Sequence, residues 1–268
     1  MSYRKSIIWA MVVGVGLLAG CGQGKQESSG APGRTAASSG PEVAQQATPI
    51  DPATVGTLRG TVYFQGEPPA RKEVRMQGNP ECSALHHEPV LDEEVLAQDG
   101  RLQNVFVYVK EGLESYAFAT PSTPVTIDQQ GCMYIPHVTG AQVNQPILFL
   151  NSDPTLHNIH SYAKQSRGWN FGLPFQGMKQ TKQISVPEVM IALKCDVHPW
   201  MVGYLGVLPH PYFAVSGPDG SFALPNLPAG TYTVEAWHER FGVQSQQVLV
   251  GAGEEQEITF TFQEAAPG

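Results

Sequence analysis

Residues 189–207 read VMIALKCDVHPWMVGYLGV, two apolar runs on either side of a short polar segment. Apolar runs of this length, rich in Val, Ile and Leu and bounded by turn residues, predict buried β-strands. The segment between them carries Cys195, His198 and Met201, each three residues from the next. Such residues are usually a small buried hydrophobe, a surface turn residue and core filling. The alternative is that all three are ligands of one metal ion.

Similar strand patterns recur along the chain from Gly56 onward. They occupy GTLRGTVYFQG (56–66), NVFVYVK (104–110), QPILFLN (145–151), VMIALKC (189–195) and YLGVLP (204–209). The 28 Gly, 22 Pro and 15% charged residues favour a turn-rich β protein over a helical bundle. The helical structure that we expect is limited to a short helix in the 80s. The sequence therefore predicts an all-β protein built on β-sandwiches.

The sequence after His210 has a different pattern of predicted strands and turns. In residues 211–263, short strands alternate with Pro-Asp-Gly, Pro-Ala-Gly, Arg-Phe-Gly and Gly-Ala-Gly turns, in which glycine supplies positive φ. The stretch DGSFALPNLPAGTYTVEAW resembles the carboxypeptidase regulatory-like, or transthyretin-like, module. The resemblance implies a second, small β-sandwich at 211–263. Because GTVYFQGEPPA (60–70) fits the first strand of that module, strand 56–66 belongs either to it or to the larger domain.

The N-terminus has the features of an export signal. Arg4 and Lys5 precede the apolar run IIWAMVVGVGLLAG, which is short for a membrane span. The run ends in L-A-G-C at Cys21, which resembles a bacterial lipobox. The resemblance implies that residues 1–20 are a signal peptide and that acylated Cys21 anchors the protein to a lipid bilayer, with Gly22 favouring the outer membrane of a Gram-negative cell. An ordinary cleaved signal and a retained anchor helix are the alternatives.

The mature chain is expected to begin with a flexible linker and to be acidic. Residues 21–55 contain almost no large apolar side chain, so they cannot offset the entropy cost of folding. The formal net charge of the chain is −8, and loss of Arg4 and Lys5 with the signal peptide lowers it by two, to −10. An acidic surface of this kind repels nucleic acid, and we expect no nucleic-acid partner.

The four cysteines are expected to have different roles. If Cys21 is lipidated and Cys195 binds metal, Cys82 and Cys132 remain as a disulfide pair in an oxidising compartment. A bridge across this separation stabilises the fold by about 4 kcal/mol in the chain-entropy model. The alternative is a second metal site built from the ligand-rich segments CSALHH and CMYIPH. Its candidate ligands are Cys82, His86, His87, Cys132 and His137.

The partners of Cys195 are expected upstream of it. FLNSDPTLHN (149–158) is followed, 38 residues after His157, by C-x-x-H-P-x-M. Together these motifs resemble the small blue copper proteins of the cupredoxin family, of the amicyanin and plastocyanin type. The resemblance spans about residues 100–209 and implies a Greek-key β-sandwich, which with an N-terminal extension forms a domain at 56–210, and one type 1 copper ion. The ligands that it implies are His157 and His198 as imidazoles, Cys195 as thiolate and Met201 as the weak axial ligand.

The resemblance also implies roles for residues next to the ligands. Asn158 matches the residue that ties the two ligand-bearing loops together beside the thiolate. His198, Pro199 and Trp200 form an apolar electron port, where a redox protein partner such as a cytochrome or a copper or haem oxidoreductase docks.

The donor types support copper independently of the resemblance. Two imidazoles, a thiolate and a distant thioether suit both Cu(II) and Cu(I), so the ion changes oxidation state with little movement of its ligands. His160 is an alternative to His157, although three positions along an extended chain it faces the other way. Met178 is an alternative axial ligand. His210 and His238 are expected at the surface.

These features predict a membrane-tethered type 1 copper protein that shuttles single electrons in the bacterial cell envelope, on its periplasmic or extracytoplasmic side. One alternative is a periplasmic copper-carrying or copper-buffering protein. Others are a structural zinc site built from Cys195, His198, His157 and His160, and a surface-binding module with a shallow site at Trp237 and His238. We do not expect an enzyme, because the chain supplies one complete metal constellation and a Cys195–His198 dyad lacks an orienting partner.

Overall fold

The computed structural model describes residues 49–76 and 78–264. The predicted signal peptide at 1–20, the predicted lipidation site at Cys21 and most of the predicted linker lie outside these residues. The described end of the linker contains a 3₁₀ turn at Pro52–Thr54, and the first strand begins directly after it. Within the described part of the chain, no helix has the length and apolar character needed to cross a membrane.

Strands dominate the described residues, as the composition predicts. In chain order they are β1 (Val55–Gln65), β2 (Ala97–Gln98), β3 (Arg101–Leu102), β4 (Phe106–Glu111), β5 (Val125–Gln130), β6 (Met133–Ile135), β7 (Val138–Gln142), β8 (Ile147–Asn151), β9 (His157–Tyr162), β10 (Asn170–Leu173), β11 (Lys179–Lys182), β12 (Glu188–Lys194), β13 (Val202–Leu208), β14 (Phe213–Val215), β15 (Ser221–Pro228), β16 (Gly230–His238), β17 (Gly242–Val250) and β18 (Glu255–Gln263). A short helix, α1 (Pro80–Ser83), lies between β1 and β2, where a helix was expected. The all-β fold class is thereby confirmed.

Strands from both ends of the described chain form one sandwich, which we call the terminal sandwich. In one of its sheets β1 pairs with β15 along its first half, with β3 near its end, and in parallel with β18. The facing sheet has the order β14-β4-β16-β17. Alternate residues of β1 face inward, and Leu58 and Val62 meet Val107 and Val234 of the facing sheet in one buried cluster. This period-two burial is what strands with one solvent face require.

Residues 125–208 form the second sandwich, which we call the central sandwich. Its sheets have the orders β10-β9-β12-β13-β7 and β11-β8-β5-β6. Ile127 and Phe149 of one sheet pack against Ile159 and Ile191 of the other. The segment between β1 and β2 adds α1 to this core, because Cys82 is buried there and forms a disulfide with Cys132 in the β5–β6 turn.

The structure assigns two strands, β4 and β1, to the terminal sandwich. The first assignment differs from the sequence-based prediction, and the second decides a question that the sequence leaves open. Strand 104–110 was expected in the larger domain at 56–210, but β4 pairs with β14 and β16 of the terminal sandwich. Strand 56–66, whose assignment was left open, pairs with β15 and β18. An apolar strand pattern identifies a strand but not its neighbours, and for this reason the sequence does not decide between the two sandwiches.

A pair of glycines brings the two sandwiches into close contact. Gly140 of β7 and Gly206 of β13 are register partners on adjacent parallel strands in one sheet of the central sandwich. A Cβ atom on Gly206 would lie 2.5 Å from the ring of Phe106, and one on Gly140 would lie 2.4 Å from the ring of Phe213. Because neither glycine has a side chain, the aromatic rings of β4 and β14 pack flat against this sheet.

The expectation that His210 and His238 lie at the surface is wrong. Their relative exposures are 5% and 1%. His210 packs near the rings of Phe118 and Tyr212, and His238 stacks on Phe241 with ring centroids 4.6 Å apart. Burial lowers the pKa of each imidazole from 6.5 to about 4, because it disfavours the charged form. Each ring also has one aromatic neighbour that is distant in sequence, Phe118 for His210 and Phe262 for His238, so the local sequence alone does not predict their burial.

Candidate metal centre

The candidate metal centre lies where β9 begins and β12 ends in the central sandwich. These strands are antiparallel neighbours, with Lys194 opposite His160. β9 starts at His157, and Cys195 is the first residue after β12. The register therefore places the cysteine beside the start of β9. The four predicted ligands are all buried, with relative exposures of 0% for His157, 2% for Cys195, 2% for His198 and 0% for Met201.

Three of the predicted ligands converge on one point. The Nδ1 atoms of His157 and His198 are 2.9 Å apart, and the Sγ atom of Cys195 lies 3.7 Å from Nδ1 of His198. One donor atom from each residue lies within 4.8 Å of the others. Because two imidazole nitrogens and a thiol sulfur face each other in a buried space, the donor set fits a copper ion.

A compact turn between β12 and β13 carries three of the four residues. The N–H of Met201 donates to the carbonyl of His198 at 2.9 Å, and the N–H of Cys195 donates to the carbonyl of Met201 at 3.3 Å. These bonds bring Met201 back to the base of the turn, where its side chain is buried in the same core as Cys195. Met178, the alternative axial ligand, is partly buried against that core.

Asn158 connects the two loops that carry the candidate ligands. Its main-chain N–H lies 3.5 Å from the Cys195 sulfur. Its side-chain oxygen accepts from the N–H of Asp196 at 2.6 Å, and its side-chain nitrogen donates to the carboxylate of Asp196 at 3.0 Å. The residue thus lies where the sequence analysis expects it, and the main chain rather than the amide side chain faces the sulfur.

Asp153 is a site residue that the sequence analysis missed. It is 2% exposed, and its Oδ2 atom lies 2.9 Å from Nε2 of His157. The N–H groups of Gly131 and Cys132 donate to its two carboxylate oxygens, each at 2.7 Å. A carboxylate that bonds the outer nitrogen of a ligand histidine fixes its tautomer and the direction of its ring. The available signal was an aspartate four residues before a candidate ligand histidine.

The hydrogen bonds of the centre change the charges of its members. Burial raises the pKa of the Cys195 thiol, but hydrogen bonds from both imidazoles and from main-chain N–H groups outweigh it and lower the pKa from 9.0 to about 6. Burial lowers the pKa of His157, whereas hydrogen bonds to Asp153 and Cys195 raise it on balance. Burial raises the pKa of Asp153, but its bonds to His157 and to two N–H groups lower it overall. At neutral pH the centre therefore contains a thiolate, the ligand form that metals require.

His160 is directed away from the centre. Its Nδ1 lies 3.0 Å from a carboxylate oxygen of Asp196, and its ring stacks on Tyr162 with centroids 4.4 Å apart. The structure therefore brings His157 to the cluster and leaves its alternative on the outer side of β9.

The residues of the alternative second metal site do not meet at one point. Both cysteines of that set are joined to each other as a disulfide. Nε2 of His86 lies 2.8 Å from the carbonyl of Gly131, His87 is exposed, and His137 pairs with Glu239 instead. The histidines of the two segments thus have separate partners.

The predicted electron port is only partly exposed. Pro199 is exposed, whereas Trp200 is half-buried and packs against the core of the central sandwich. Its indole N–H donates to the carbonyl of Cys132 at 3.0 Å, and its ring centroid lies 5.2 Å from that of His198. The indole thus lies beside the imidazole, as expected for the port, and also contributes to packing.

The shallow site suggested for Trp237 and His238 does not form an open surface. Trp237 is half-buried, with its ring 4.9 Å from that of Tyr204, and His238 is fully covered. Both side chains are used in packing.

Comparison with known families gives one match. Residues 209–263 match the carboxypeptidase regulatory-like domain. This segment contains β14 to β18 of the terminal sandwich and overlaps the module that the sequence analysis places at 211–263. No curated protein matches the chain.

Several solved copper proteins are similar to part of the chain. A copper-containing nitrite reductase from Thermus scotoductus is 24% identical, with 34% of this chain and 24% of that chain covered and a TM-score of 0.29. A mutant amicyanin in its Cu(I) form is 16% identical, covering 31% of this chain and 81% of that one, with a TM-score of 0.28. A purple cupredoxin from Nitrosopumilus maritimus is 21% identical, with 31% of this chain and 97% of that chain covered and a TM-score of 0.27. The similarity is weak and concerns the fold of about a third of the chain.

Proposed function

We propose that this protein is a membrane-tethered type 1 copper protein that shuttles single electrons in the bacterial cell envelope, rather than an enzyme. The observation that carries the proposal is the buried convergence of His157, Cys195 and His198, with one donor atom of each within 4.8 Å of the others. These three residues would hold copper, and Met201 would add a thioether. When bound to such a donor set, copper exchanges one electron between Cu(II) and Cu(I).

The surrounding residues support this role by preparing the donor atoms. Asp153 accepts a hydrogen bond from Nε2 of His157, so Nδ1 is the nitrogen that faces the centre and would bind the metal. The N–H of Asn158 faces the Cys195 sulfur and stabilises its negative charge. Because the donors are buried and attached to paired strands, water is excluded and the ligands have little freedom to move.

Electron exchange with a protein partner is proposed to occur at Pro199 and Trp200. This part of the surface is apolar and lies over the imidazole of His198. Small apolar contact areas without strong charge pairing allow weak docking and rapid release, which repeated electron transfer requires. The proposed partner is another redox protein.

The proposal places the protein on a bilayer through lipidated Cys21, with the polar linker as the tether. The acidic net charge supports a protein partner over nucleic acid.

The visible and EPR spectra of purified, copper-loaded protein test the proposal. We expect an intense visible band from the copper–thiolate bond, which Cys195→Ala abolishes while the thermal melt of the metal-free protein shows that the fold is retained. His157→Ala is expected to lose the band as well, and His160→Ala is the matched control that keeps it. A protein that binds zinc but gives no coloured copper form contradicts the proposal, as does a copper form that cannot be cycled reversibly between two oxidation states.

A further inference from the structure

We infer that the disulfide between Cys82 and Cys132 positions both imidazole ligands of the metal centre, and that the centre binds its metal less tightly when this bond is absent. The inference rests on the proposed copper function and deepens it, because it assigns a role in that centre to residues outside the ligand set. Cys132 contacts both ligand-bearing loops and is joined covalently to Cys82.

The first connection runs from Cys132 to His157. The N–H of Cys132 donates to Oδ2 of Asp153 at 2.7 Å, and the same oxygen lies 2.9 Å from Nε2 of His157. Asp153 is almost completely buried, so water does not replace this main-chain donor. A shift of Cys132 therefore moves the carboxylate that sets the direction of the His157 ring.

The second connection runs from the disulfide to His198. The carbonyl of Cys132 accepts the indole N–H of Trp200 at 3.0 Å, and the indole lies beside the His198 ring. Sulfur atoms of both Cys82 and Cys132 also lie within 4.8 Å of a ring nitrogen of His198. The disulfide thus forms part of the wall against which this imidazole packs.

The turn that carries Cys132 needs an external constraint. Gly131 and Cys132 are the two residues between β5 and β6, and both have left-handed backbone conformations, with φ of 63° and 54°. A residue with a Cβ rarely adopts this conformation unless its surroundings hold it there. Here the constraints are the carboxylate of Asp153 and the covalent bond to Cys82 of α1, which lies in a largely irregular segment.

The test removes the disulfide by replacing both of its cysteines, so that neither Cys82 nor Cys132 is left as an unpaired thiol. In the Cys82→Ala/Cys132→Ala double variant, we expect a copper affinity, measured by competition with a chelator, that is about tenfold to a hundredfold lower than in the wild type, the loss typical when groups supporting metal ligands are removed. We also expect a changed copper hyperfine splitting in the EPR spectrum. In the metal-free wild type we expect distinct imidazole ¹⁵N signals for His157 and His198, and in the double variant these signals should broaden or average.

A matched control separates positioning from general loss of stability. Leu224→Ala opens a cavity in the terminal sandwich, where Leu224 is 1% exposed and far from the ligand set in the fold. It should lower the melting temperature while leaving the EPR splitting and the imidazole signals unchanged. Equal changes in Leu224→Ala and in the double variant would overturn the inference, because they would show that stability alone controls the centre.

A second variant keeps the inference testable if the double variant does not fold. Asp153→Ala leaves the disulfide intact and removes the carboxylate between Cys132 and His157, so the His157 signals should broaden more than those of His198. The inference would be overturned if both variants matched the wild type in copper affinity, in EPR splitting and in their imidazole signals. Absence of a copper–thiolate band in the wild type would instead contradict the proposed function, and the metal-free imidazole signals would then still decide whether the disulfide positions the rings.

Discussion

Acid is expected to destabilise the terminal sandwich through its two buried histidines. The N–H of Tyr212 donates to Nδ1 of His210 at 3.2 Å, and the N–H of Arg240 donates to Nδ1 of His238 at 3.1 Å. Each ring is therefore held in the neutral form, since protonation of Nδ1 would remove the acceptor. With a pKa of about 4 in the fold and an ordinary pKa of 6.5 in the unfolded chain, both histidines are largely neutral in the native state at pH 5 and protonated in the unfolded chain.

The size of the effect follows from these pKa values. Where the unfolded chain binds more protons, the free energy of unfolding falls as the pH falls, by about 1.4 kcal/mol per pH unit for each histidine. The stability is fully present above about pH 6.5 and is lost progressively down to about pH 4. Between about pH 7 and pH 4.5, each histidine is expected to account for a loss of about 2.4 kcal/mol.

Urea unfolding of the purified protein at several pH values measures this loss. Between about pH 4.5 and pH 6, His210→Gln and His238→Gln should each reduce the slope of unfolding free energy against pH by about 1.4 kcal/mol per pH unit, which corresponds to one proton. This holds whatever the stability of each variant is at pH 7. His87→Gln, which removes an exposed histidine, is the control and should leave the slope unchanged. An unchanged slope in both buried-site variants, or imidazole NMR titrations near the ordinary value of 6.5, would refute the reasoning.

Three further substitutions test other parts of the protein. Cys21→Ser is expected to release the protein from membranes, because the linker has no apolar surface to hold it; unchanged partitioning in a membrane fractionation would point to a retained helix. Trp200→Lys is expected to slow electron exchange with a redox partner in stopped-flow measurements and to lower the melting temperature, because the indole bond to Cys132 is lost; an unchanged rate would remove Trp200 from the electron port. Gly206→Val is expected to cost about 1–3 kcal/mol of unfolding free energy by overpacking against Phe106; urea unfolding with wild-type stability would contradict the close contact between the sandwiches.

The parts of the candidate site that the sequence predicts are those encoded by short spacings. Cys195, His198 and Met201 lie in one turn, so their proximity follows from three-residue steps between flanking strands. His157 is predicted through a motif at the start of another strand, and the pairing of β9 with β12 brings it to the turn. Asp153 was overlooked because an aspartate in a Ser-Asp-Pro turn is usually a turn residue, and its burial depends on the distant β5–β6 turn.

The parts of the fold that the sequence does not predict are those set by distant partners. Individual strands are visible as apolar runs, yet β4 was assigned to the larger domain because its pattern contains no information about β14 and β16. His210 illustrates the same limit, since aromatic rings from other segments cover it. The packing role of Gly140 and Gly206 is likewise not predictable from the sequence. It depends on Phe106 of the terminal sandwich, which packs against both glycines.

The position of β1 in its sheet has a consequence for the order in which the molecule can be completed during synthesis. β1 is among the first described segments to leave the ribosome, whereas its neighbours β15 and β18 are among the last. The strands of the central sandwich are contiguous in the chain, so this sandwich can form before β15 and β18 are available to pair with β1. Pairings between distant segments form slowly, and an unpaired strand edge is a template for association with other chains. A nascent chain that stops before β18 therefore contains a completed central sandwich next to an exposed strand edge, and protection of that edge depends on β18.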